Sequence, residues 1–190
     1  MRNTLIFIIT ILMAVSLSAK KKGAPPMAAG APNDRTCNTS KCHAGNDLNT
    51  DKAIITIEGL PEAYTPSEIY EITLKLKQDG AKVWGFQATV ADEDGHGQGT
   101  LMPGTSKDIQ LLDNARYQSK TDRQYLTHTQ SGIKGPKKGI SPTWTFQWQA
   151  PDSASSSSSF YFAFNAADGN TKKTGDFIYT RSIEVEAVKK

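Results

Sequence analysis

The chain has 190 residues, 37% hydrophobic and 22% charged, with a formal net charge of +3. The balance of 22 basic against 19 acidic side chains is too even to point to nucleic acid or an anionic membrane as partner. Its length suits one ordinary domain with a sound core.

Residues 1–19 read as a secretory signal. Arg2 supplies the positive start, Leu5 to Leu17 is apolar except for Thr10 and Ser16, and Ser16, Ser18 and Ala19 offer small residues for cleavage. The apolar run is shorter than the roughly 20 residues that span a bilayer, so cleavage is expected rather than anchoring. No second run of spanning length follows. The expected product is exported, to the periplasm, the cell surface or the medium.

Residues 20–52 read as an extended arm that ends in a cysteine loop. The Lys, Gly, Ala and Pro-rich stretch from Lys20 to Asp34 has no hydrophobic period. Residues 53–190 read as strands almost throughout. Ala53 to Glu58 is a β-branched run closed by Gly59-Leu60-Pro61. Tyr70, Ile72, Leu74 and Leu76 then alternate with Glu71, Thr73, Lys75 and Lys77. Val83 to Val90 follows, with Trp84, Phe86 and Ala88 on one face, and Asp94-Gly95 marks a hairpin turn. That turn also lacks the spacing of acids that a calcium loop requires.

Gln124 to Thr129 is a further candidate strand. Thr143 to Ala150 sets Trp144, Phe146 and Trp148 against Thr145, Gln147 and Gln149. The serine run Ser155 to Ser159 reads as an exposed loop. Phe160, Phe162 and Phe164 alternate next, and Ile183, Val185 and Ala187 close the series. Many short alternating strands without an amphipathic helix predict an all-β, immunoglobulin-like antiparallel β-sandwich.

The chemistry-bearing motif is Cys37-Asn38-Thr39-Ser40-Lys41-Cys42-His43, a C-x4-C-H pattern that holds both cysteines of the chain. Covalent c-type haem attachment uses C-x-x-C-H: each thiol adds to a porphyrin vinyl group, and the adjacent histidine reaches the iron. Here the loop carries four residues instead of two. The same two thiols could close a disulfide in an exported domain. A zinc site is poorer, because only Cys37, Cys42, His43 and one remote histidine are on offer.

Further pieces in chain order resemble a known family. Gly23-Ala24-Pro25 and Gly30-Ala31-Pro32 precede the cysteines, and Tyr64-Thr65-Pro66 leads into a strand. Trp84-Gly85-Phe86-Gln87-Ala88, Thr127-His128, and Trp144, Trp148 with Ala150-Pro151 are similar to segments of reeler domains. Asn165 to Asn170 and Gly175 to Thr180 complete the order. The chain from Gly23 to Ala187 resembles the bacterial choice-of-anchor V domains, which open with G-A-P, a C-x-x-C-H-type motif and a T-H pair. That resemblance implies a reeler-like sandwich preceded by a haem-binding loop. It implies little about role, since such domains occur on diverse surface proteins.

The expected site is one covalent haem c held by Cys37 and Cys42, with His43 as the proximal iron ligand. His96, His128, Met27 and Met102 are the candidates for the sixth position. His128 is preferred, because a strand holds it and the T-H pair singles it out. Bis-histidine ligation tends to a lower potential than His/Met and leaves no open site for oxygen chemistry. The expected role is electron transfer without substrate chemistry, hence not an enzyme. Its partners would be redox proteins, other haem proteins or copies of itself. The competing expectation is a cofactor-free adhesion or binding module stapled by Cys37–Cys42.

Overall fold

The computed structural model describes residues 22–38, 42–154 and 156–188. The signal reading over 1–19 and the middle of the cysteine loop lie outside those residues. Among the described residues, ten strands form two sheets. They are β1 (Ala53–Glu58), β2 (Ala63–Tyr64), β3 (Ile69–Gln78), β4 (Val83–Ala91), β5 (Thr100–Met102), β6 (Ile109–Leu111), β7 (Leu126–His128), β8 (Trp144–Gln149), β9 (Ser158–Ala167) and β10 (Phe177–Ala187). One sheet runs β1-β3-β8-β5, the other β2-β10-β9-β4-β7-β6. Pairing is antiparallel except between β2 and β10. The architecture is the expected all-β sandwich.

Alternation explains which faces meet. In β3, Ile72, Leu74 and Leu76 are buried while Lys75 and Lys77 face out. In β8, Trp144, Phe146 and Trp148 point inward, and in β9 Phe160, Phe162 and Phe164 do the same. The aromatic rings of the two sheets interdigitate: Phe86 lies 4.8 Å from Trp144, and Trp148 lies 4.8 Å edge-on to Phe160. The aromatic stripes are core, as the spacing predicts.

Two expectations need correction. The serine run does not stay in a loop, for Ser158 opens β9 and is fully buried. Second, β2, β5 and β6 went unread, because two or three residues are too few to display a period. The Asp92 to Gly95 turn is present: Gly95 N–H donates to Asp92 C=O at 3.1 Å, and Ala91 bridges Gly97 beyond it.

The outer face of the six-stranded sheet positions the site. On β4 it carries Gln87 and Thr89, and on β7 Thr127, all fully buried. Polar side chains can be buried there because each finds a partner: the arm supplies those of Gln87, while Thr89 Oγ1 donates to Gln124 C=O at 2.7 Å and Thr127 Oγ1 to Phe86 C=O at 2.6 Å. Ala28 N–H donates to Gln87 Oε1 at 2.7 Å, and Gln87 Nε2 donates to Pro25 C=O at 2.9 Å. Ala28, Ala29 and Ala31 are buried in this contact. Gly23, at φ +94°, lets the backbone approach so closely that a Cβ would sit 2.5 Å from Thr127 Cγ2.

Candidate functional site

The arm is pinned by a buried ion pair ahead of the cysteine loop. Arg123 Nη2 donates to Asp34 Oδ1 at 2.6 Å, and both side chains are almost wholly enclosed. Tyr125 O–H donates to the same oxygen at 2.9 Å, and Arg123 Nε donates to Tyr125 O at 2.9 Å. Two further guanidinium bonds reach Gly95 C=O at 2.8 Å and Pro32 C=O at 3.0 Å. Burial pushes the Asp34 carboxyl up, while Tyr125 and Arg123 pull it back.

Burial pushes the Tyr125 phenol up to about 12, so the folded state holds it neutral. An acid whose folded value is raised contributes stability below its unfolded value of about 10 and loses it as pH rises through 12. Stability is therefore expected to fall by about 3 kcal/mol between those limits on account of Tyr125. Urea titrations of wild type and Tyr125→Phe at pH 9 and 12 check this; the variant should lose less.

Beyond Asp34 the chain enters the C-x4-C-H motif. Cys37 is half-buried, with Sγ 3.8 Å from Ala28 C=O, and Cys42 is exposed. Burial, reinforced by the nearby Cys42, pushes the Cys37 thiol up to about 12. Cys37 is thus held as the thiol, and the exposed Cys42 is expected to be the first to react. In reduced, haem-free protein, iodoacetamide should label Cys42 before Cys37, as peptide mass mapping would show.

The far end of the motif is fastened to the sheet. His43 N–H donates to Cys37 C=O at 3.2 Å, closing the loop. Ala44 N–H donates to Lys173 C=O at 2.8 Å and bridges Thr174 in parallel. The His43 ring then meets two residues far away in sequence. Its Nδ1 lies 2.6 Å from Asp176 Oδ2, and Asn165 Nδ2 lies 3.3 Å from its Nε2. The tautomer that satisfies both carries the proton on Nδ1, donates it to the carboxylate, and accepts from the amide at Nε2.

His128 occupies the same region of the sheet. It closes β7 and is 9% exposed, with its ring laid over Gly85. A Cβ on Gly85 would lie 2.6 Å from His128 Cε1, so no larger residue leaves room for that ring. Gly85 pairs directly with Asn165, the residue that touches His43. Burial lowers the His128 imidazole to about 4; Phe86 C=O opposes this and His43 adds to it. His128 is thus a neutral base at pH 7. Its Nδ1 lies 3.0 Å from Phe86 N and 3.2 Å from Phe86 O, so it can accept from the one or donate to the other.

The remaining candidates lie elsewhere. His96 is a turn residue with a 69% exposed side chain, 3.3 Å from Asp122. Met102 belongs to β5 in the opposite sheet. Met27 packs against the Ala29, Leu112 and Tyr125 cluster.

The donor set fits a haem c on the His43 side. Two thiols and the imidazole share one loop, Asp176 secures Nδ1, and the unprotonated Nε2, which accepts from Asn165 Nδ2, would give up that bond to a metal. Asn165 Oδ1, beside that nitrogen, is buried without a partner. On the His128 side, iron needs a bare Nε2, which the Nδ1–H to Phe86 C=O option supplies. Sequence reasoning missed Asp176 and Asn165. Asp176 is 133 positions from His43, and only the fold brings them together.

No family model matches the chain, and no curated protein matches it. Among solved structures it is similar to the Reelin-N domain of F-spondin, at 15% identity and a TM-score of 0.49, over 75% of this chain and 91% of that one. The human F-spondin reeler domain (fragment 2) gives 15% identity and a TM-score of 0.47, over 75% and 93%. The major pilin SpaD of Corynebacterium diphtheriae gives 14% and 0.40, over 70% of this chain and 35% of the pilin. Likeness at this level concerns strand arrangement alone, and the sandwich assignment rests on the two sheets themselves.

Proposed function

We propose that this chain is an exported monohaem c-type cytochrome domain that transfers electrons. The observation that carries the reading is the His43 imidazole, which directly follows Cys42. A buried carboxylate fixes it at Nδ1, and the unprotonated Nε2 presents a lone pair that Asn165 Nδ2–H engages here and that iron would take over. Cys37 and Cys42 would hold the group through thioether bonds, His43 would be the proximal ligand, and His128 would take the opposite position. When bound, the haem iron supplies a one-electron couple. The chain supplies the rest: the Asp34–Arg123 pair docks the arm, Asp176 orients His43, and Gly85 makes room for His128. No substrate chemistry is assigned, and the partners would be redox proteins, other haem proteins or further copies.

The reading is tested through His128. In the reduced and oxidised visible spectra, His128→Ala should convert low-spin haem to high-spin. An unchanged spectrum would overturn the assignment of the sixth position to His128.

A second reading has its own observation. Cys37 and Cys42 lie close enough for one thiol to raise the other, and the His43 N–H to Cys37 C=O bond closes the loop between them. Oxidation there would give a Cys37–Cys42 disulfide in a cofactor-free, secreted adhesion or binding module. Colour and mass separate the two.

A further inference from the structure

Asp176 is a carboxylate enclosed at 4% exposure, just ahead of β10. A buried carboxylate is costly unless its oxygens are matched. Here Oδ2 faces His43 Nδ1 at 2.6 Å, and Oδ1 accepts Asp168 N–H at 3.3 Å. Its backbone carbonyl accepts Asn46 Nδ2 at 2.9 Å, which ties the segment after His43 to the start of β10. Among the described residues its ion-pair partner is His43, without lysine or arginine. Asn165, on β9, presents an N–H to the other ring nitrogen, so two residues far apart in the chain specify one tautomer.

Resting on the haem reading, we infer that Asp176 is a positioning residue that fixes His43 as the Nδ1–H tautomer and lowers the reduction potential of the iron it binds. A carboxylate partner makes the imidazole a stronger donor and favours the oxidised metal. Asp176→Asn removes the charge at nearly constant shape and keeps an acceptor for His43 Nδ1–H, at the loss of the long bond that Oδ1 accepts from Asp168 N–H.

The test is a spectroelectrochemical titration of wild type and Asp176→Asn after haem loading is verified by mass. At a fixed ambient potential the variant should hold about tenfold more reduced haem per oxidised, a shift of about 59 mV for one electron. A loaded variant titrating with wild type would overturn the role of Asp176 and leave the haem reading standing. Wild type that never loads haem would overturn both. A second measurement needs no variant. In 15N-labelled, haem-free full-length chain, the His43 ring signals should show a protonated Nδ1 and a bare Nε2. A proton on Nε2 would overturn the inference.

Discussion

Replacing Cys37 and Cys42 together by alanine is expected to abolish covalent haem. The variant, exported from a host with cytochrome c maturation machinery, should be colourless after denaturing extraction and should have the bare polypeptide mass. The expectation follows from the chemistry, since a thioether needs a thiol and these are the two cysteines of the chain. The single variants should differ from the double. Each retains one thiol and His43, so a single thioether remains chemically open to either. Colour that survived extraction in the double variant would sink the covalent claim.

Arg123→Ala is expected to cost about 3–5 kcal/mol, because it strands the enclosed Asp34 carboxylate without its cation. The guanidinium makes bonds to Asp34, Tyr125, Pro32 and Gly95, so its loss also leaves carbonyls of the arm and of the hairpin turn unmatched. Urea denaturation would read the cost. The double variant with Asp34→Ala should be less unstable than the sum of the single variants, since the two residues share one interaction. Strict additivity would show that the pair is not coupled. The arm ends in Cys37, so limited proteolysis of Arg123→Ala should also cut earlier within residues 22–37 than in wild type.

The longer strands were legible because each had room to repeat. Ile72, Leu74 and Leu76 alternate with polar or charged neighbours over β3, and three aromatic residues at spacing two mark β8 and β9. The arm was not legible as packed structure. Its buried residues are Gly23, Pro26, Ala28, Ala29 and Ala31, small side chains that let backbone approach backbone and carry no hydrophobic period. Gln87 and Thr127 are polar residues in strands, with nothing beside them in sequence to mark them as buried. They are buried because the distant arm covers them, Ala28 lying against Gln87 and Gly23 against Thr127.

The candidate site divides in the same way. Cys37, Cys42 and His43 were visible because attachment chemistry demands a local spacing, and His128 because it sits in a strand within a T-H pair. In the sequence, Asn165 and Asp176 stand only within strand-end and turn-rich segments. Their roles depend on where β9 and β10 run beneath the cysteine loop, which no local pattern encodes.

The measurement that bears most directly on the central claim is a pyridine haemochrome spectrum, with intact mass, of wild-type protein exported from a maturation-competent host. A c-type band and the added mass of one haem are the predicted result. A colourless protein two hydrogen atoms lighter than the reduced chain would contradict it and establish a Cys37–Cys42 disulfide.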